Sequence, residues 1–315
     1  MHKCSRKALA GCVLILLMTL SPAWAGHVIT EEVRLWAREA LQQEKALAAS
    51  AAASDTIAVL NFANRTGAAE FDPLQKGLAV MLITDLTQVS SLRVVERVRM
   101  QALVEELGLG VSGLVETGTA PRVGRLLRAR WLAGGGMTAD RAPVIDIRAD
   151  VLEVPDSQIL GQPAAQGPLA ELFRMEKEIL FGILALLKVE PSTEEEEALR
   201  RPLTISLEAF LRFAEGIDAS DRGLYPKAAE LYEKALEADP GFGTAAEALE
   251  ELRSLGLIPP KRRSGAFLRS LRDRTSLTDR LSPDEVIRRE RTPQDLDQLP
   301  HPLPEPPPPP ERFQP

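Results

Sequence analysis

Residues 57–62 read Ile-Ala-Val-Leu-Asn-Phe, residues 63–67 Ala-Asn-Arg-Thr-Gly, and residues 92–97 Leu-Arg-Val-Val-Glu-Arg, with one amphipathic run between them. The first apolar run is bounded by Ser54-Asp55 and by Asn64-Arg65-Thr66-Gly67, and it has the length and β-branched content of a buried strand. Asp72 is placed to cap, and Pro73 to occupy the first turn of, the helix that follows. Leu74, Leu78, Met81, Leu82, Leu86 and Val89 then recur on one face, the spacing of a helix laid across a sheet. With a second strand over 92–97, the stretch predicts a βαβ unit whose strands are parallel and whose crossover is right-handed.

Outward from this unit, the N-terminal residues set the compartment. Lys3, Arg6 and Lys7 form a positive segment, residues 8–20 are apolar, and Ala23-Trp24-Ala25 is a small-x-small pattern, so residues 1–25 read as a signal peptide cleaved after Ala25. Leu9-Ala10-Gly11-Cys12 also spells a lipobox, but lipidation at Cys12 would leave the apolar residues 13–20 on the mature chain. The apolar stretch is short for a membrane-spanning helix, so any membrane association is expected to be peripheral. Thr30 is placed to cap a helix over 31–49 with Val33, Trp36, Ala37, Ala40, Leu41 and Leu47 as its apolar face; residues 26–54 are read as this helix and a linker.

Composition narrows the chemistry. In 315 residues the hydrophobic share is 44% and the aromatic share only 4%, so the core must be aliphatic. A net charge of −7 argues against nucleic acid, which needs a basic face. Cys4 and Cys12 both fall in the signal segment, and His2, His27 and His301 all lie outside residues 55–258. That removes the usual general bases, most zinc sites and any Ser-His-Asp arrangement. No catalytic, cofactor-binding or metal-binding residue is assigned, and no cofactor is expected.

Downstream, Met100, Leu103, Val104 and Leu107 mark a helix that stops at Gly108, and residues 111–118 are a glycine-rich connection. Thr119 and Pro121 open a third helix with Val123, Leu126, Leu127 and Arg130 on one side. Residues 131–138 read as a strand carrying Gly134-Gly135-Gly136, which fit a bulge or a close backbone approach better than a phosphate cradle. Residues 144–154 alternate cleanly, with Ile145, Ile147, Ala149 and Val151 on one face and Asp146, Arg148 and Asp150 on the other. A turn at 155–157 returns 158–160 as an antiparallel partner, and Pro168 opens a helix to Lys188 that covers the sheet. The fold class is therefore α/β, a small mixed sheet of four or five strands flanked by helices over residues 55–190. Glu194 to Glu197, preceded by Ser192 and Thr193, fit a helix first turn rather than a metal site.

From Ser206 the period becomes that of a helical hairpin. Gly216, Gly223, Tyr225, Ala228, Tyr232, Ala235 and Pro240 stand at the offsets of one tetratricopeptide repeat, while Arg212, Glu215 and Ala219 replace its usual large apolar residues. Residues 243–255 read as the first helix of an incomplete second repeat, so the module over 191–258 is expected to lean on the α/β domain, on its own copy or on a partner. Residues 259–315 form a tail, basic at Lys261-Arg262-Arg263 and proline-rich at 302–310, expected to be solvated and disordered.

Residues 57–67, the helix from Lys76-Gly77-Leu78 to Thr84-Asp85-Leu86, and residues 92–97 resemble the CsgG-like curli-assembly family and the related N-terminal domains of TolB-type and flagellar outer-membrane accessory proteins. Ala129-Arg130-Trp131-Leu132-Ala133-Gly134-Gly135 and residues 144–160 are similar to that family's later strands, and the resemblance covers residues 55–189. It implies a periplasm-facing assembly or scaffold domain that acts through protein partners of the bacterial envelope, with self-association a second expectation. The family's pore-forming hairpins have no counterpart, since no pair of segments offers two alternating strands of about ten residues each. An outer-membrane export-pore subunit is the alternative. A hydrolase using carboxylates among Asp140, Asp146, Asp150 and Asp156 is a third reading, although a solvated strand face explains Asp146 and Asp150 without chemistry.

Overall fold

A computed structural model describes residues 26–45, 54–109, 119–141 and 144–259. The first apolar run becomes β1 (Thr56–Asn64), and every residue between its two ends is buried. It pairs in parallel with β2 (Arg93–Val94) on one side and with β3 (Trp131–Arg141) on the other, so it is covered on both faces and both edges. β4 (Val144–Glu153) runs antiparallel to β3 and keeps the alternation its sequence shows, with Ile145, Ile147, Ala149 and Val151 buried. β5 (Gln158–Gly161) and β6 (Ala164–Pro168) share the position outside β4: β5 pairs at its Val151 to Glu153 end and β6 at its Val144 to Arg148 end. The sheet has six strands in the order β2-β1-β3-β4-β5, with β6 also on β4.

Helices cover both faces. α1 (Glu31–Gln42) starts at Thr30, whose hydroxyl accepts from Val33 N. α2 (Asp72–Leu86) lies on one sheet face beside α5 (Leu172–Leu187), and both feed the core around Phe62, Leu78, Ile147 and Ile179. α3 (Arg97–Glu106) and α4 (Thr119–Leu126) cover the other face, where Met100, Leu103, Val123 and Leu126 meet Ala58, Leu60 and Leu132. α1 packs on α3 through Ala37, Val98 and Ala102. α6 (Thr193–Leu199) has the expected acidic first turn, closed by a capping box between Ser192 and Glu195. α7 (Leu207–Asp221), α8 (Tyr225–Ala238) and α9 (Gly243–Ser254) complete a helical C-terminal region.

The triple glycine does what its sequence suggests. A Cβ on Gly135 would stand 1.9 Å from the Arg148 carbonyl oxygen, so β3 and β4 approach more closely there than any side chain permits. The β1–β3 register also shifts between Val59 and Phe62, a bulge opposite the same glycines.

Several expectations need correction. The second strand spans two residues rather than 92–97, because Arg97 turns inward as the first residue of α3, with Arg99 N and Met100 N both bonded to the Glu96 carbonyl. Asp72 does not cap: Phe71 holds that position, and Asp72 accepts instead from the Asn64 amide at 2.8 Å across the turn. Pro168 both ends a strand and caps the 3-10 turn Leu169–Glu171, so α5 itself starts later, at Leu172. Ala164–Pro168 has little β-propensity, and its pairing along β4 makes it a strand. Arg130 stands beyond α4, where it stacks on the Trp131 ring at 4.6 Å and pairs with Glu153. α2 is buried nearly all round rather than on one face, since Gly77, Ala79, Val80 and Ile83 are covered as well. Residues 46–53, the connection at 111–118 and the tail beyond 259 lie outside the described residues, as does the signal segment.

Candidate functional site

The helical region is built by close approach. Ser206 caps α7 by accepting from Ala209 N at 3.1 Å, and Gly223 makes the turn into α8 at φ +74°. A Cβ on Gly216 would stand 2.4 Å from the Tyr232 ring, so the two helices touch through a glycine and an aromatic. Ala228, Tyr232 and Ala235 are buried on α8, Tyr225 is its first residue, and Pro240 is exposed beyond its end. Phe213 of α7 faces Phe242, Tyr232 and His27 at ring separations of 5.0, 5.8 and 6.1 Å. An aromatic-poor chain thus concentrates rings at this joint, where their large area stabilises packing most.

The hairpin seats on α2. Phe210 and Ala214 of α7 press against Gly77, where a Cβ would meet the Phe210 ring at 2.9 Å. Beside that contact lies a buried knot of charge. Asp221 accepts from Arg97 through both of its oxygens at 3.0 Å and pairs with Lys76 at 2.8 Å, with its side chain only 2% exposed. Lys76 also reaches Asp218 at 3.0 Å. Arg97 donates to the His27 carbonyl at 2.8 Å, while the Glu251 carboxylate of α9 accepts from His27 N at 2.7 Å and Val28 N at 3.3 Å. Burial works to raise the Asp221 carboxyl, but Arg97 and then Lys76 outweigh it and hold the group below the usual carboxylate range. Burial, then the Arg97 charge, lowers the His27 imidazole to about 4, so it is neutral at physiological pH.

Two surfaces border this joint and the sheet. A cleft of about 270 Å³ opens between the start of α2 and the α7–α8 turn, lined among others by Asp72, Lys76, Glu215, Ala219, Leu224 and Lys227. Two of the three positions that break the repeat pattern, Glu215 and Ala219, therefore face this cleft. A polar trough of about 320 Å³ lies over the end of β3 and the wet face of β4, with Arg65, Thr138, Asp146, Arg148, Asp150 and Gln162 around it. Asp146 sits 3.8 Å from Arg148 and Asp150 accepts from the Gln162 amide at 2.5 Å. Four residues apart on one strand, the two aspartates have backbones about 13 Å apart, too far for a paired acid and base. Asp140 stands near the end of β3 and Asp156 in the exposed β4–β5 turn.

A second buried charge cluster joins α2 to α5. Lys177 sits 2.5 Å from Asp85 and 3.3 Å from Glu176, and those two carboxylates are 1% and 2% exposed. Burial, then the Asp85 charge, pushes Glu176 well above the usual carboxylate range, and burial raises Asp85 despite Lys177. Sequence reasoning gave no role to Lys76, Arg97, Asp221, Glu251, Asp85 or Glu176, although Lys76, Asp85 and Arg97 stand in the stretches that carry the resemblance. The available signal was local: Lys76 and Asp85 both interrupt an apolar helix, Asp85 on the face its spacing predicts to be covered and Lys76 on the opposite one.

No helix among the described residues is long and apolar enough to cross a membrane. The solved structures that this chain is similar to include the LpoB C-terminal domain from Salmonella enterica, at 15% identity over 43% of this chain and 95% of that one, with a TM-score of 0.28. The LpoB C-terminal domain from Escherichia coli is similar at 15% identity over 42% and 97%, TM-score 0.30, and E. coli LpoB at 12% over 53% and 83%, TM-score 0.30. No curated protein matches the sequence. A family model described as "Curli production assembly/transport component CsgG" matches residues 38–140, from within α1 to β3, so β4 to β6 and the helices from α5 onward lie outside the match.

Proposed function

We propose that this is an exported, non-enzymatic protein of the bacterial cell envelope that works as an assembly or scaffold component through protein–protein contact. The observation that carries the reading is the match over residues 38–140 to a family described as an assembly and transport component. The sheet domain is the platform. The α7–α8 hairpin, taken as a single tetratricopeptide-type repeat with Gly216, Gly223, Tyr225, Ala228, Tyr232, Ala235 and Pro240 in its structural positions, presents the partner-facing surface from a fixed seat on α2. Scarcity of imidazole and thiol, and the separation of Asp146 from Asp150, support a binding role over a catalytic one.

The test is in-cell crosslinking from the α2–α7 cleft in envelope fractions. A discrete partner is expected, lost on the charge reversals Glu215→Lys and Lys227→Glu in a protein that still melts like the parent. Recovery of the protein in the cytoplasm with residues 1–25 intact, or turnover of a substrate that one side-chain change abolishes, overturns the reading. The same family description favours one alternative, an export-pore subunit whose barrel other chains supply. Ring-shaped particles stable only in detergent would decide for it, and a soluble monomer or dimer against it.

A further inference from the structure

Residues 26–29 form a strap across the joint, and its first residue is the one that cleavage after Ala25 exposes. Gly26 lies against Glu251, where a Cβ would stand 3.4 Å from Oε1. The next two backbone N–H groups point at the same carboxylate, His27 N to Oε2 at 2.7 Å and Val28 N to Oε1 at 3.3 Å. From the other side Arg97 holds the His27 carbonyl at 2.8 Å, and His27, Val28 and Ile29 are buried. Glu251 belongs to α9 and Arg97 to α3, so the strap ties the last helix to the sheet domain. Successive backbone N–H groups converging on one anion form a cradle for negative charge, and the nitrogen that precedes them in the chain is that of Gly26.

We propose that Glu251 is the receptor of this chain's own α-amino group, so that the joint between α9, the strap and α3 is completed only when the Ala25–Gly26 bond is cut. This rests on the export reading above. In the cut, by a signal peptidase, water gives its hydroxyl to the Ala25 carbonyl carbon and a proton to the Gly26 nitrogen, which takes a second proton from solvent as an ammonium. An amide nitrogen offers one N–H, whereas an ammonium offers three donors and a full charge, and charge-assisted bonds are about twice as strong as neutral ones. The charged and titratable groups around the site are Glu251 from α9, Arg97 from α3, Asp221 from α7, Lys76 from α2, Tyr232 from α8 and His27 of the strap itself. Asp221 is already taken by Arg97 and Lys76, which leaves Glu251 to receive the ammonium. Burial raises the Glu251 carboxyl above the usual range, a cost that an adjacent ammonium offsets.

Two versions of the mature chain, released from a cleavable fusion, test this: one starts at Gly26, the other at Trp24, which carries its ammonium two residues upstream. At pH 7 the Gly26 form is expected to melt about 2–4 °C higher. An amine whose folded pKa is raised stabilises fully below its unfolded value near 8 and loses that effect as pH rises through the folded one, so the gap closes by about pH 10. It also closes at pH 7 in a Glu251→Gln background. Equal melting of the two forms, or a gap that survives Glu251→Gln, overturns the pairing. The intact mass of the exported protein reads the cut separately. A cut at any other bond overturns this inference alone, an uncut chain with residues 1–25 intact overturns the export reading with it, and a Gly26 start with equal melting overturns the pairing alone.

Discussion

α2 carries a buried charge cluster on each of two flanks, and the two are mirror images in stoichiometry. Toward α7 one carboxylate, Asp221, is shared by two cations, Lys76 and Arg97. Toward α5 two carboxylates, Asp85 and Glu176, share one cation, Lys177. Both are desolvated, yet Asp221 stays ionised while Glu176 is pushed toward its neutral form. Two cations on one buried carboxylate therefore hold Asp221 low, whereas two buried carboxylates on one cation leave Glu176 pushed up. The count of cations per carboxylate, more than burial itself, decides the direction.

Breaking the Asp221 clamp should have the largest effect. Asp221→Asn leaves Arg97 buried without its carboxylate and Lys76 with Asp218 alone, and removing one member of a buried ion pair costs about 3–5 kcal/mol. Denaturant unfolding would measure the loss, and limited proteolysis should show α7–α9 cut first. The folded carboxyl titrates below its unfolded value near 3.8, so the clamp's contribution is present above that pH and is lost only as pH falls through the folded pKa. A loss under about 1 kcal/mol would mean that the knot is solvated and the comparison is void.

Next is His27, which faces the same knot. Its folded pKa of about 4 lies below the unfolded 6.5, so stability falls as pH drops from about 6.5 to about 4, by about 3 kcal/mol in all. His27→Phe, which keeps a ring against Phe213, should remove that slope. The Asp85–Glu176 pair predicts the opposite sign. With Glu176 raised, the folded state binds more protons than the unfolded one above pH 4.5, so stability falls as pH rises through that window toward the folded pKa. Glu176→Gln should abolish the fall and stabilise the protein at pH 7, with little change at pH 4. The smallest effect belongs to a solvated control on the same hairpin. Arg212 and Glu215 pair at 3.1 Å with 42% and 34% of their side chains exposed, and Arg212→Ala should cost under about 0.5 kcal/mol.

The parts of the fold legible in the sequence are those set by local period. β1 announces itself by an apolar run broken only at Asn61, β4 by strict alternation, and α6 by Ser192 and Thr193 ahead of an acidic first turn. β6 does not, because Ala-Ala-Gln-Gly-Pro has neither period nor propensity and becomes a strand only through β4. The clamp was out of reach for a different reason: Arg97 and Asp221 are 124 residues apart, and Lys177 and Asp85 are 92 apart. Periodicity reports which face is covered. It says nothing of which charge will be opposite. The hairpin was visible as a pair of helices, and Gly216 with Tyr232 as their contact, but its seat on α2 depends on Gly77, one glycine in an apolar helix.

One consequence follows from the outer position that β5 and β6 share. Pro163 interrupts it and Pro168 ends it, so two residues along that border have no N–H to offer. The Gln166 carbonyl is already occupied by Arg174 at 3.1 Å, and the opposite border is the two-residue β2. The β6 part of one margin and the short β2 on the other offer a neighbour's backbone little to pair with. Along those stretches contact with another chain falls to side chains, which blunts edge-to-edge extension of the ribbon there.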